Sequence, residues 1–229
     1  MELLDALRGT GAVRQFTDEP VDDAALVRIL DTARFAPNGG NRQAWHVTVV
    51  RDASTRDALR ELYAGPWSDY LAQTMAGITP WSPLADRVAE DAVVAAARSA
   101  DDAETVRARV GATFSASVLL VVHGDLHRLV ATDRDLGRYT MVAGASVYPF
   151  AWNILLAARA EGLGGVITTM HARVEPEVNA LLGAADGLAL ACVIPIGHPV
   201  HQPTRLRRGP VGSFATLDRC DGPVFGPTA

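Results

Sequence analysis

The spacing of hydrophobic residues predicts several amphipathic helices. From Asp22 to about Arg34, apolar residues recur every three or four positions, and Asp22 is a residue type that favours helix N-termini. A second helix is expected from Ser54 to Tyr63, and a short one from Leu3 to Leu7. Glu175 to Leu182 predicts a further helix towards the C-terminus.

The segment from Ser146 to Glu161 is apolar on every face. A helix of this kind must be covered all round, either in a large core or at a subunit interface. The glycines that follow, Gly162-Leu163-Gly164-Gly165, predict a helix end that leads into a strand. A dinucleotide-binding loop would need the order strand, glycines, helix, and a glycine where Ile167 stands.

Four apolar, β-branched runs predict strands, and a polar stretch at 125–138 predicts a loop or short helix. Helices and strands are mixed without regular βαβ alternation and without a repeat. This order favours an α+β fold in a single domain of residues 1–229. The expected strands are His46–Val50, Ser117–His123, Val166–Thr169 and Leu188–Ile196.

Residues 65–110 depart from this pattern, because prolines alternate with large aromatic residues there. We expect a variable insertion over a site, with a polar-faced helix from about Asp86. Trp67, Tyr70 and Trp81 are candidates for the walls of a substrate pocket, although simple packing of the insertion would equally explain them.

Residues 198–229 lack core periodicity and yet carry Phe214, Leu217, Val224 and Phe225. This C-terminal arm is expected to pack either on a partner subunit or on its own subunit.

The composition excludes several chemistries, since all 21 basic residues are arginine. Schiff-base catalysis and the P-loop both require a lysine. A net charge of -5 speaks against nucleic acid and anionic membranes as partners. No apolar run approaches a membrane span and the N-terminus does not resemble a signal peptide, so we expect a cytoplasmic protein.

Histidines and cysteines provide no metal signature. His123 and His127, like His198 and His201, have spacings that a metal could use, but no acidic or thiol partner matches them. Surface or loop histidines are therefore expected. The two cysteines stand far apart and indicate neither a disulfide framework nor a metal or redox pair.

Two polar segments are candidates for ligand binding. The loop from Pro37 to Trp45 carries three amide side chains, Asn38, Asn41 and Gln43, whose donors and acceptors suit a heteroaromatic ring. Arg205-Leu206-Arg207-Arg208 is a basic cluster that could bind a phosphate, although solvated surface arginines are the usual explanation.

Together these segments resemble the FMN-dependent nitroreductase family. The resemblance covers about Leu3 to Val211 and is weakest in residues 65–110. It implies a nitroreductase-like α+β fold, with a central, mostly antiparallel sheet flanked by helices, in an intertwined homodimer with two FMN sites at the interface. The matching blocks are residues 12–21, 33–45 and 153–164, and Gly197-His198-Pro199 followed by the arginine cluster.

The resemblance also implies roles for individual residues. Arg14 would face the flavin pyrimidine, and Arg205 and Arg207 the ribityl phosphate. Ile167, Thr168 and Thr169 would pass the ring near N5. The amide loop would contact the flavin across the dimer through Asn38, Gly39, Asn41 and Gln43.

One departure concerns the N-terminal block. Thr10-Gly11-Ala12 stands where the family often has arginines, so two contacts on the phosphate side would be missing or weakened, with Arg208 as the candidate to compensate.

The function implied is transfer of electrons from NADH or NADPH through FMN to nitroaromatic, quinone or similar planar acceptors by a ping-pong mechanism. Two alternatives keep the fold and the flavin: a dehalogenase, or an enzyme that fragments reduced flavin. A third, motivated by Thr10-Gly11-Ala12, is a flavin-binding dimer without turnover.

Overall fold

The computed structural model describes residues 2–112, 114 and 116–228. Its centre is an antiparallel sheet of four strands in the order β1-β2-β4-β3. The strands are β1 (Trp45–Val50), β2 (Val118–Asp125), β3 (Gly164–Gly165) and β4 (Leu188–Gly197). Together with the helices, this sheet confirms the α+β class.

The described residues form seven α-helices, and short 3-10 turns at Gly39–Asn41, Met170–Val174 and Val211–Ser213. The sequence patterns predicted most of these helices to within a few residues. The helices are α1 (Leu3–Gly9), α2 (Asp23–Ala33), α3 (Ala53–Met75), α4 (Arg87–Arg98), α5 (Ala103–Ala112), α6 (Gly144–Ala160) and α7 (Glu175–Leu182).

Strand β2 divides the core into two layers, because its residues point alternately to opposite faces of the sheet. Val118, Leu120 and Val122 pack with residues of α2 and α6. Leu119 and Val121 pack on the other side with residues of α3 and α7. Both faces of the sheet are therefore covered, which explains why the residues from Val118 to Val122 are all apolar.

Helix α6 is less completely covered within this chain than its sequence predicts. One side is buried, including Phe150, whose ring stacks on that of Trp45 with centroids 4.5 Å apart. On the other side Tyr148 is 43% exposed, and Trp152 and Leu156 are partly exposed. This apolar surface is left open within one chain, and its burial at a subunit interface stays a prediction.

Helix α3 corrects the prediction for the start of the insertion. It runs on from Tyr63 through Gly65 and Pro66 to Met75. Pro66 lacks one backbone donor, yet packing on both sides of the proline holds the helix together, with Tyr63 buried and Trp67 and Leu71 against the same core.

Several smaller expectations also change. Residues 166–169 do not form a full strand, since only Thr168 pairs, in an isolated bridge with Val193. The polar stretch at 125–138 begins with the last residue of β2 and continues in turns, in agreement with the loop alternative of its prediction. His123 is buried on β2 and not at the surface, with Nε2 3.0 Å from Asn179 Oδ1.

The C-terminal residues begin by pairing with their own chain. Val200 N–H donates to Gln15 O at 3.0 Å, and Phe16 bridges Pro199. Further on, Thr216 and Val224 form a local bridge, while Phe214 is 76% exposed. The first part of the arm therefore lies on its own subunit, and contact of the rest with a partner remains a prediction.

Glycines allow the N-terminal extended segment to pack directly on the sheet. Val13 N–H donates to Gly165 O at 2.9 Å, and a Cβ on Gly164 would lie 2.7 Å from Val13 Cγ2. A Cβ on Gly197 would meet the Phe16 ring at 2.8 Å. Only glycine permits these approaches without displacement of the segment.

Gly164→Ala is expected to lower the free energy of unfolding by about 1–3 kcal/mol, because the added methyl group must displace the buried Val13. Gly137→Ala is the matched control: its Cβ meets nothing within 4 Å in an exposed bend, so stability should change by less than about 0.5 kcal/mol. Urea denaturation measures both. Equal stability of the two variants would contradict the close-packing account.

Candidate active site

A cleft of about 170 Å³ opens between the N-terminal extended segment, α3 and the residues that follow β3. It is rich in aromatic side chains, and Arg14 is the only charged residue among the described residues that line it. The lining consists of Arg14, Phe16, Tyr63, Trp67, Tyr70, Phe114, Val166, Ile167, Thr168, Thr169, Met170 and Pro195.

Arg14 reaches the cleft because the residues around it are anchored. Val13 is fixed to Gly165, Gln15 O accepts from Val200, and Thr17 N–H donates to His198 O at 2.9 Å. The exposed guanidinium is close enough to Tyr63 to lower the pKa of its phenol, but burial has the larger effect and raises that pKa to about 12. Tyr63 therefore stays neutral at working pH.

The N-terminal segment also lies against the start of the tail. Arg159 donates from Nη1 to Gly9 O at 2.8 Å and to Pro203 O at 3.0 Å. A Cβ on Gly11 would lie 2.9 Å from both Pro203 and Leu206. This packing places Thr10-Gly11-Ala12 beside the exposed arginine cluster, and it supplies a reason for glycine at position 11.

The amide loop is stabilised by hydrogen bonds of its own residues within one chain. The Asn38 side chain is used within the loop, where Nδ2 donates to Ala36 O at 3.1 Å and Oδ1 accepts from Gln43 N–H at 2.8 Å. Gly39 N–H donates to Ser146 Oγ at 3.1 Å. Asn41 and Gln43 have φ of 52° and 49°, a left-handed conformation that asparagine tolerates better than most residues.

One chain does not bring the loop and the cleft together. The loop contacts Ser146 at the start of α6, whereas the N-terminal segment contacts Arg159 at its end. At ~1.5 Å per residue, the intervening helix separates these two contacts by roughly 20 Å. The predicted site residues therefore fall into two groups on the chain.

Six predicted residues line the cleft, namely Arg14, Ile167, Thr168, Thr169, Trp67 and Tyr70. Arg205, Arg207 and Arg208 do not line it, although Leu206 among them packs on Gly11. Trp81 stands behind Tyr70 with ring centroids 6.2 Å apart. Asn38, Gly39, Asn41 and Gln43 lie at the far end of α6.

Tyr63, Phe16 and Phe114 belong to the cleft but were not among the predicted site residues. The signal for Tyr63 was available: with Trp67 and Tyr70 it forms the spacing i, i+4, i+7, which marks one helix face once α3 is continuous. Phe114 follows the end of α5, and nothing in the sequence pattern connects it with the cleft.

A larger cavity of about 860 Å³ lies on the other side of α3, facing α4 and α5. Its walls are mostly alkyl, and they include the ion pair between Asp69 Oδ2 and Arg98 Nη2 at 2.6 Å. None of the residues predicted for flavin or acceptor binding lines it. The smaller cleft is therefore the better candidate for the chemistry.

Neither a metal centre nor a membrane span was found in the part of the chain that the structure describes. No group of three or more histidine, cysteine, aspartate or glutamate residues is placed to hold an ion. No helix there combines the length and hydrophobicity needed to cross a bilayer.

The chain matches the Nitroreductase family over residues 7–198 and therefore belongs to it. The resemblance inferred from the sequence blocks is confirmed, and with it the oxidoreductase class. An NADH dehydrogenase of Thermus thermophilus is 26% identical over 195 residues, which cover 83% of each chain.

Two solved structures share the fold at lower identity. The NADPH:FMN oxidoreductase of Vibrio harveyi, complexed with NAD+, superposes with a TM-score of 0.65 at 20% identity over 94% of this chain and 76% of that one. Iodotyrosine deiodinase, bound to FMN and 3-iodo-L-tyrosine, superposes with a TM-score of 0.61 at 20% identity over 96% of this chain and 99% of that one. These likenesses confirm the nitroreductase-like fold.

A buried histidine behind the cleft makes stability depend on pH. His171 packs against Tyr63 and Phe114, and its Nε2 donates to Leu59 O at 2.9 Å. Burial lowers the pKa of His171 from the ordinary 6.5 to about 4. Its contribution to stability is complete above pH 6.5 and is lost as the pH falls towards 4.

The free energy of unfolding should fall by on the order of 3 kcal/mol through His171 between pH 7 and pH 4, and His171→Phe should remove most of that dependence. The pKa of His123 is also lowered by burial, so the free energy of unfolding of His171→Phe should still decrease somewhat as the pH falls. Denaturation curves across this range test the expectation, with the exposed His127→Phe as control. An unchanged slope in His171→Phe would contradict it.

Proposed function

We propose that this protein is an FMN-dependent oxidoreductase that passes electrons from NADH or NADPH to nitroaromatic, quinone or similar planar acceptors. The observation that carries the proposal is the aromatic cleft with Arg14 as its only charged residue among those described. Three exposed arginines flank Leu206, which packs on Gly11 at the start of the segment that carries Arg14. Family membership gives the oxidoreductase class, and the cleft suits a flat, anionic cofactor.

The residues present fit FMN in their chemistry. Aromatic walls suit a planar ring, and Arg14 supplies a fixed cation for the negative charge that a reduced ring carries. Arg205 and Arg207 would hold the phosphate, since no lysine exists in the chain to do so. Arg208 is the nearest further cation in sequence.

Backbone geometry narrows the groups that could face flavin N5. Thr168 uses both its N–H and its C=O on Val193, at 3.0 and 2.9 Å. Thr169 O accepts from Ala172 at 3.0 Å. We therefore assign the contact with N5 to the Thr169 N–H and to the two threonine hydroxyls, with Ile167 beside the ring.

A second copy of the chain would complete the site. Ligand pockets usually measure ~300–1,000 Å³, so a cleft of about 170 Å³ holds only part of a cofactor of this size. The partner's amide loop, with Asn38, Gly39, Asn41 and Gln43, would supply the missing wall. The apolar side of α6 around Tyr148 and Trp152 supports such an interface.

When bound, FMN would supply the chemistry by accepting hydride from the nicotinamide at N5 and giving the electrons up to an acceptor. The protein binds the phosphate, stabilises anionic charge through Arg14 and excludes water with Tyr63, Trp67 and Phe114. The nicotinamide and the electron acceptor must occupy the same small cleft one after the other, which supports a ping-pong mechanism.

The described part of the cleft offers aromatic faces that suit a planar acceptor. Among its described lining residues there is no carboxylate to pair with an ammonium group. The deiodinase neighbour shares the fold at 20% identity, which is no basis for assigning 3-iodo-L-tyrosine as a ligand of this chain.

Purified protein should be yellow, or become so on addition of FMN, and NADPH or NADH should bleach the flavin absorbance anaerobically. A nitroaromatic compound or a quinone should restore the colour within seconds, because the electrons pass on. Slow loss of the flavin itself in air would favour the alternative of an enzyme that fragments reduced flavin. Release of halide from halotyrosine would favour the dehalogenase. Protein that takes up no FMN would refute the proposal.

Arg207→Ala should weaken FMN binding about 10- to 100-fold, since a charge-assisted contact to phosphate contributes ~1.5–3 kcal/mol. Arg219→Ala is the control, because this tail arginine pairs with Asp221. Fluorescence titration of FMN measures both. Equal affinities would show that the phosphate lies elsewhere.

The shared site can be tested by mixing subunits. Asn41→Gly removes the amide from the loop but keeps its left-handed backbone. Random re-association of this variant with Arg207→Ala should restore about a quarter of the tight sites, because one site of each mixed dimer is then intact. Failure to recover any tight site would place loop and phosphate cluster on the same chain.

A further inference from the structure

The aromatic wall of the cleft is supported from behind at both ends. Trp67 and Tyr70 stand nearly parallel, with 6° between their rings and centroids 5.0 Å apart. Tyr63, which is buried, stacks on Trp67 at 5.7 Å and closes one end. At the other end Tyr70 meets Trp81, which does not line the cleft.

Trp81 is held in a backbone conformation that a bulky residue rarely adopts. Its φ is 49°, in the left-handed region, so surrounding contacts must maintain it. The strain places the indole ring between Tyr70 on α3 and Arg173 in the Met170–Val174 turn, whose guanidinium carbon is 5.0 Å from the ring centroid.

Gln73 supplies the contacts that maintain this conformation. The side chain is fully buried, and Oε1 accepts from Trp81 N–H at 3.3 Å while Nε2 donates to Asp69 O at 3.4 Å. The backbone carbonyl of Gln73 accepts from Ile78 at 2.9 Å, next to Gly77 with φ of 75°. One residue therefore turns the chain at the end of α3 and fixes Trp81 against the helix.

Arg173 connects this arrangement to the opposite wall of the cleft. The turn that carries it begins at Met170, directly after Thr168 and Thr169, and Met170 itself lines the cleft. The contact between Arg173 and Trp81 therefore joins the aromatic wall to the wall assigned to flavin N5. The buried His171 of the same turn already ties it to α3 at the Tyr63 end of the wall, through the Tyr63 ring and Leu59 O, so the contact between Arg173 and Trp81 holds the two walls together at the Tyr70 end.

We propose that Gln73, Trp81 and Arg173 form a clasp that sets the width of the cleft and so makes the enzyme selective for flat aromatic acceptors. Gln73 and Arg173 are positioning residues, since they act through Trp81 on Tyr70 and Trp67 and do not touch the acceptor. The inference rests on the proposed function, because it concerns the acceptor side of the same site.

Arg173→Met tests the clasp, because Arg173 is exposed and its loss should not prevent folding. The KM for 1,4-naphthoquinone should rise about two- to fivefold, corresponding to a cation–π contact, while kcat changes less than about twofold. Turnover of ferricyanide, which is not flat, should be unchanged, and Arg173→Lys should restore most of the KM. Arg34→Met is the matched control, since Arg34 stacks on Phe35 at 4.5 Å outside the cleft.

Gln73→Met should also raise the KM for 1,4-naphthoquinone selectively, by a larger factor than Arg173→Met does. The measurement uses the fraction of the variant that folds. An unchanged KM for the quinone in Arg173→Met would overturn the clasp, as would an equal rise for both acceptors.

Near-UV circular dichroism of the FMN-free chain gives a readout independent of turnover: the signal of the stacked aromatic rings should fall in Arg173→Met but not in Arg34→Met. If the wild-type chain binds no FMN, the proposed function fails, while this spectrum still decides whether the clasp exists.

Discussion

The arrangement of the candidate site depends on how closely one extended segment, residues 12–16, approaches the sheet. Val13 and Phe16 occupy space that side chains at Gly164 and Gly197 would otherwise fill. Hydrogen bonds to Gly165 on one side and from Val200 on the other then fix the segment. The position of Arg14 follows from this contact, and Arg159 aligns the tail beside the segment by donating to both Gly9 O and Pro203 O.

The fold was predictable where local pattern and tertiary packing agree. Strand β2 is buried on both faces and α2 on one, and their hydrophobic spacing predicted both. Helix α3 was not predictable over its full length, since Pro66 argues locally for a break and only the aromatic packing beside it maintains the helix. His123 was misassigned for a related reason, because its partner Asn179 lies 56 residues away in sequence.

The candidate site was predictable mainly through resemblance, and the structure adds how its parts are separated. Sequence blocks indicated the arginines and the amide loop, but they could not show that α6 keeps them at opposite ends of one chain. Within Thr10-Gly11-Ala12, packing explains the glycine, because Pro203 and Leu206 leave no room for a side chain at Gly11. The contacts that arginines would make at these positions are still missing, and the oxidoreductase class follows from family membership.

The aromatic cleft also has a constant electrostatic character. Arginine remains charged at every working pH, the phenol of Tyr63 has a pKa of about 12, and His171 behind the wall has one of about 4. No carboxylate belongs to its described lining. Between roughly pH 5 and 9 neither Tyr63 nor His171 therefore changes its charge. Across that range the contribution of these two side chains to the redox potential of a bound flavin would be constant.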